Sequence, residues 1–197
     1  IMLPKDGYIK FRIDHQETGP VCSDEEIADF LIFRTEIFDR GWIGVLPDGI
    51  GFGNLSLRMG KYFIITGNAT GQIRTLDSTH FAKVLRYDAK FNICTSEGPR
   101  KPSSESGTHA VIYDILPDIN VILHIHNTAI WNKIIKTGFS TAENIEYGTP
   151  EMAKAVKNLV QQPEVQKAGV FAMKGHEDGV VFFGSSIKSL KSIFSVF

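Results

Sequence analysis

The stretch Asn120-Val121-Ile122-Leu123-His124-Ile125-His126 decides how the rest of the chain is read. It is too short for a typical helix and rich in β-branched residues, so it predicts a buried strand. Along a strand, side chains at i and i+2 leave the same face, about 6.6 Å apart. His124 and His126 therefore share a face, and Ile125 points the other way, into the core. Two imidazoles so placed can converge on one ion, with nitrogen–metal bonds of about 2.0–2.1 Å. The alternative is a pair of partly exposed histidines that merely ends a strand.

A third ligand is needed. His176 lies 50 residues beyond His126, in Gly175-His176-Glu177-Asp178-Gly179. That segment falls between two expected strands, Val170 to Met173 and Val180 to Phe183. Three neutral imidazoles with an open fourth position is the arrangement of a catalytic rather than a structural zinc. Imidazole also suits other divalent transition metals.

Upstream, a helix is expected over about Asp24 to Arg40. Ser23 and Glu26 form a capping-box pattern and Gly41 supplies the stop. Ile27, Phe30, Leu31, Arg34, Ile37 and Phe38 follow helical spacing, apolar at nearly every core-facing position. Pro47-Asp48-Gly49 marks a turn. Asn54 to Arg58 and Lys61 to Thr66 read as a hairpin around Met59-Gly60. A Gly-rich loop at Gly67 to Gly71 precedes an expected helix over Ser78 to Tyr87 and a short strand over Phe91 to Thr95. Further helices are expected at Ser104 to Leu116, Thr128 to Ile135, Thr149 to Gln161 and Ser185 to Phe197. Thr149-Pro150 gives an N-cap with proline in the first turn. Mixed helices and strands of this kind predict a layered α/β or α+β domain, and 197 residues predict one such domain.

Two further segments carry chemistry-bearing residues. Ser104 reads as an N-cap with Glu105 placed against the helix dipole. Equally, the serines and the helix N-terminus can bind an anion while Glu105 serves as an acid/base group near the metal. Gly53-Asn54-Leu55-Ser56 and Thr70-Gly71 read as turns, or as backbone that lets a phosphate approach closely. Neither loop matches a P-loop or dinucleotide fingerprint, so ATP and NAD are not indicated.

The charge balance, 21 basic against 22 acidic residues, provides no clustered basic face for nucleic acid or an anionic membrane surface. Cys22 and Cys94 sit in no ligand spacing and read as reduced thiols. No apolar run approaches the ~20 residues of a bilayer span, and the amino terminus lacks the layout of a secretory leader. The expectation is a cytoplasmic protein. The aromatic-rich end, Phe183, Phe194 and Phe197, would leave apolar surface unless it packs on the sheet or on another subunit, which favours oligomerisation.

Taken in order, several segments resemble the class II aldolase/adducin family. They are GNLSLR (53–58), IITGNATG (64–71), KPSSESGTH (101–109), HIH (124–126), EYGTPEMAKAV (146–156) and GHEDGVVFFG (175–184). The resemblance runs from about residue 23 to the end. That family includes fuculose- and rhamnulose-phosphate aldolases, ribulose-phosphate 4-epimerase, methylthioribulose-phosphate dehydratase and the adducin head. The resemblance implies an α/β/α layered domain around a largely antiparallel central sheet, assembled as a homotetramer with active sites between subunits. It implies that His124, His126 and His176 bind a divalent metal, in the first instance zinc. It implies that Glu105 moves the substrate proton, and that Asn54, Thr70, Gly71, Ser103 and Ser104 hold the phosphate of a phosphorylated sugar. The implied reaction is retro-aldol cleavage of a ketose phosphate through a metal-stabilised enediolate. An epimerase or dehydratase on the same scaffold, or an adducin-like binding domain without activity, are the alternatives. The chain departs from the family in three places. Its loop at 65–71 is two residues longer, Glu177 and Asp178 follow His176 where a glycine is usual, and the aldolases' C-terminal aromatic proton donor has no counterpart, with Tyr147 and Tyr113 as candidate substitutes.

Overall fold

The computed structural model describes residues 10–197. The amino-terminal stretch on which the reading of no secretory leader rests lies outside the described residues. The aliphatic run of the opening argument forms a strand, β8 (Val121–His126), whose residues are buried up to the half-buried His126. It lies inside an eight-stranded sheet. In chain order the other strands of that sheet are β1 (Arg12–Glu17), β4 (Asn54–Met59), β5 (Tyr62–Thr66), β6 (Phe81–Asp88), β7 (Ile93–Gly98), β9 (Val170–Ala172) and β10 (Gly179–Gly184). Their spatial order is β1-β7-β6-β5-β4-β8-β10-β9. Neighbours pair antiparallel except β1 with β7, which are parallel. Two short strands, β2 (Gly44–Val45) and β3 (Gly51–Phe52), form a separate hairpin whose tip holds the expected Pro47-Asp48-Gly49 turn.

Helices cover both faces because both faces of the central strands are apolar. Val121, Leu123, Ile125, Val180 and Phe182 pack against α1 (Ala28–Asp39), α3 (Thr128–Thr137) and α6 (Ile187–Phe194). The alternate residues Ile122, Val181 and Phe183 pack against α2 (Ser106–Ile115), α4 (Pro150–Val160) and α5 (Pro163–Ala168). The α/β/α layering with a largely antiparallel sheet agrees with expectation. Among the described residues no helix is long and apolar enough to cross a membrane. Cys22 and Cys94 are free thiols.

Several elements differ from the expected ones, each for a physical reason. The helix expected at Ser78 to Tyr87 is a single 3-10 turn, Ser78–His80, followed by β6. A capping box, Asp77 with His80, does open that single turn. The rest is a strand with a bulge between Val84 and Arg86, which breaks the period of two and mimics helical spacing. Ser23 and Glu26 do form their reciprocal hydrogen bonds, yet residues 24–27 are a turn and α1 begins at Ala28. Sequence reading missed β1, a half-exposed edge strand, and also β2, β3 and α5.

The aromatic-rich end packs within the chain. Phe183 and Phe194 are buried, and Phe194 meets Phe33, Trp42 and Phe182 at ring-centroid distances of 6.3, 5.3 and 6.0 Å. The argument for oligomerisation from these residues therefore falls away. Phe182, which meets the rings of Phe194 and Phe197, is fully buried. Phe182→Ala is expected to cost about 3–5 kcal/mol. Guanidinium unfolding checks this, and a loss below about 1 kcal/mol would contradict the packing described.

Candidate metal centre and active site

The site lies where β8 ends. Pairing of β8 sets Asn54 of β4 opposite His124, and Gly179 of β10 opposite His126. His124 and His126 share the sheet face that α2 covers. His176 arrives from the tight connection between β9 and β10, whose backbone closes with His176 N–H donating to the Met173 carbonyl and Gly179 N–H to the His176 carbonyl. Trp131 on α3 donates its ring N–H to the Met173 carbonyl at 3.1 Å and holds the start of that connection. Glu177 and Asp178 complete the turn, with Asp178 at a φ of 64°, and neither belongs to the ligand group described next.

One nitrogen from each of His124, His126 and His176 lies within 4.8 Å of the others. Nε2 of His126 and Nε2 of His176 are 3.1 Å apart. Two nitrogens bound tetrahedrally to one zinc at about 2.0–2.1 Å stand about 3.4 Å apart, so this spacing is close to that of a coordination edge. Nε2 of His124 is buried and has no hydrogen-bond partner among the described residues. A Cβ added at Gly179 would lie 3.3 Å from that nitrogen and 3.2 Å from the His176 ring, so a side chain there would occupy the space the imidazoles face. Burial, and then the neighbouring His176, His126 and His109, hold the pKa of His124 well below the ordinary histidine value. Its ring is therefore neutral at pH 7, as a ligand must be. The donor set fits a divalent transition metal. The Asn54 amide lies 3.3 Å from His124 Nδ1. The amide nitrogen is the atom that faces Nδ1. The flipped amide would place its oxygen there to accept from Nδ1–H, and only that arrangement leaves Nε2 free to coordinate.

Glu105 stands at the amino end of α2 but does not act as a cap. It occupies the N-cap position and makes no side-chain capping bond. Its carboxylate is 3% exposed, and Oε1 is 3.4 Å from His176 Nδ1. Ser104 is not the cap either. Ser103 Oγ accepts from the Glu105 N–H at 3.3 Å. The rings of Tyr147 and His176 stack at 4.8 Å, and Lys10 Nζ lies 4.0 Å from the Tyr147 ring centre. Tyr113, the other candidate aromatic, is buried, hydrogen-bonded to Ser56 and does not line the cleft.

A cleft of about 490 Å³ opens here, within the usual range of about 300–1,000 Å³ for small-molecule sites. His124, His126, His176 and Glu105 form one part of its wall, and Asn54, Thr70, Gly71, Ser103 and Ser104 also line it. The three histidines, Glu105 and the five residues expected at the phosphate thus reach one cavity, while the candidate aromatics Tyr147 and Tyr113 are not part of its wall. Phe52 of β3 closes over His126 at 5.2 Å between ring centres. Phe52, Trp131 and Arg34, which is discussed below, were not singled out from sequence as site residues, because their roles depend on contacts between distant elements.

An α/β/α fold with three histidines and one carboxylate around a cleft defines a candidate metal-dependent site. The family model described as Class II Aldolase and Adducin N-terminal domain matches residues 36–196, and the chain belongs to that family. Over 89 residues it is 34% identical to the methylthioribulose-1-phosphate dehydratase of Citrobacter koseri, a match covering 43% of this chain and 40% of that protein. Over 117 residues it is 30% identical to the protein of the same name from Klebsiella pneumoniae, covering 57% and 52%. The chain therefore spans about half the length of the curated relatives it matches. Among solved structures it is similar to an L-fuculose 1-phosphate aldolase, with a TM-score of 0.63, 16% identity, and coverage of 88% of this chain and 82% of that one. That likeness concerns the fold.

His109 of α2 lies beside the site in a fully buried network. Its Nδ1 is 2.7 Å from Ser56 Oγ, which is 2.8 Å from the Tyr113 hydroxyl. Burial lowers the His109 pKa to about 3. Between its unfolded value of 6.5 and about 3 the unfolded chain binds a proton that the folded chain does not. The folded state therefore loses stability as pH falls through this window. The melting temperature is expected to drop steadily from pH 7 to pH 4, and His109→Gln should flatten the slope. An unchanged slope in that variant would show that His109 is not the group responsible.

Proposed function

We propose that the protein is a divalent-metal-dependent lyase acting on a phosphorylated ketose. The observation that carries this reading is the convergence of His124, His126 and His176 within 4.8 Å, with the Glu105 carboxylate 3.4 Å from His176. In this reading the three imidazoles hold zinc or another divalent transition metal. When bound, the ion supplies Lewis acidity, drawing negative charge from the reacting carbon onto the ketose oxygens.

Glu105 is the acid/base group. It is buried in the cleft wall beside His176, shielded from bulk water and placed where a bound substrate would lie. Thr70, Gly71, Ser103 and Ser104 bind the phosphate through backbone N–H groups and hydroxyls, and Asn54 adds an amide while orienting His124. The phosphate is remote from the breaking bond, so its binding energy serves to fix the reacting end.

Two lyase outcomes share these groups. In a dehydration, Glu105 removes the proton on the carbon next to the carbonyl. The hydroxyl one carbon further leaves, and with a proton it becomes water. In a retro-aldol cleavage, Glu105 takes the hydroxyl proton, the carbon–carbon bond breaks, and a proton returns to the carbon next to the carbonyl. The names of the sequence relatives favour dehydration, so it takes first place over the retro-aldol step expected from sequence. Assembly as a homotetramer is part of this reading, and light scattering of the purified protein tests it.

His126→Ala is expected to reduce bound metal from about one ion per chain to none, measured by plasma mass spectrometry. Glu105→Gln should keep the metal and lose at least about 100-fold in turnover. With 5-methylthioribulose 1-phosphate as substrate, loss of water should appear by mass. Release of dihydroxyacetone phosphate and an aldehyde would instead favour the retro-aldol outcome. Full metal retention in His126→Ala would remove the metal site from the reading.

A further inference from the structure

One member of the core-facing row on α1 is not apolar. Arg34 is 1% exposed and among the largest fully buried side chains of the protein. It forms no ion pair among the described residues. Its guanidinium donates instead to backbone carbonyls. Nη1 donates to those of Ile73 and Arg74, the latter at 2.8 Å, and Nη2 donates to that of Thr70 at 3.0 Å. The Phe38 ring lies 5.0 Å from Cζ, and Nε is buried without a hydrogen-bond partner. Burial lowers the pKa only to about 10, so the group stays charged at neutral pH. A buried cation with no acidic partner is costly, and carbonyl dipoles offset part of that cost.

The carbonyls that Arg34 holds belong to the loop that lines the cleft. In a trans peptide the N–H of the next residue points opposite to the carbonyl, and no cis peptide occurs among the described residues. With the Thr70 carbonyl turned to Arg34, the Gly71 N–H is turned away from it. The N–H groups of Thr70, Gly71 and Gln72 make no hydrogen bond among the described residues, and all three residues line the cleft. From the other side the loop is held by β2 and β3, since a Cβ on Gly71 would meet the Gly44 carbonyl oxygen at 2.3 Å. Among the described residues, no lysine or arginine lines the cleft itself. A cleft meant for a dianion would thus have its side-chain cation behind the loop rather than in the wall.

We propose that Arg34 is a positioning residue for the substrate phosphate. From behind the loop at 70–74 it turns peptide N–H groups into the cleft, and it faces the bound phosphate with a positive charge across one layer of backbone. The inference rests on the reading of that loop as the phosphate site. The screening between charge and anion is low there because the intervening layer is protein rather than water.

The test uses the zinc-loaded full chain and inorganic phosphate, titrated by calorimetry, for wild type, Arg34→Gln and Arg34→Lys. Arg34→Gln is expected to bind phosphate at least about tenfold more weakly, and Arg34→Lys within about threefold of wild type. Zinc stoichiometry and the absorption spectrum of the cobalt-substituted protein should not change in either. A purely structural role would lower the melting temperature of Arg34→Gln and leave its phosphate affinity at the wild-type value, and that result overturns the proposal. If Arg34→Gln does not fold, Arg34→Lys decides. Near-wild-type affinity supports the charge, and a tenfold loss overturns it. A wild-type protein that holds zinc but takes no phosphate also overturns the proposal while leaving the metal reading in place. Absence of zinc with phosphate binding intact would count against the metal reading alone.

Discussion

Hydrogen bonding of β8 along both edges, to β4 on one side and β10 on the other, is the constraint from which the site follows. A strand in that position has its backbone polar groups paired along both edges, with the His126 N–H at its end donating to the Trp42 carbonyl, so its side chains decide what each face carries. Alternation then sends Val121, Leu123 and Ile125 to one helical layer and Ile122 to the other. His124 and His126 share the second face, where α2 brings Glu105. A one-residue slip in register would exchange the faces and bury the imidazoles beneath α1 and α3. The site thus depends on the same register that builds the core.

Polar groups are buried in unusual density where β8 ends. Asn54, Glu105, His124 and His176 are each at most 6% exposed. Such groups cost free energy unless they are paired or bound to something. Asn54 is turned to His124, His176 lies against Glu105, and Trp131 and Tyr147 hold the connection and ring of His176 in place. Arg34 extends the same economy to the neighbouring loop, with carbonyls in place of an acid. A local excess of buried polarity that the fold could have avoided with apolar residues is a common mark of a functional site.

Membership in the class II aldolase and adducin family settles the scaffold without settling the bond that breaks, because one fold carries several chemistries. Within the proposed reading, dehydration and retro-aldol cleavage both call on one carboxyl group and one Lewis acid. What separates them is which substrate atom Glu105 faces, and that is decided by how the phosphate end anchors the sugar. Within that reading, the loop at 67–74 is the part of the site that sets this anchoring.

Much of the architecture was legible in the residues themselves. The β8 run, the hairpin of β4 and β5, the proline-started α4 and the HxH pair each rest on local rules of burial, capping and alternation, and they hold. The expected helix over Ser78 to Tyr87 failed because a bulge between Val84 and Arg86 is a property of strand pairing, and it lent β6 a false helical period. β1 escaped notice because an edge strand with one half-exposed face carries little apolar signal. For the site, sequence determined the candidate ligands and the shared face of His124 and His126. Only the tertiary structure decided that His176 would meet them, that Glu105 would turn toward His176 instead of capping α2, and that Arg34 would lie behind the cleft loop. Those outcomes depend on pairings between segments tens of residues apart, where packing and register, rather than local propensity, select the geometry.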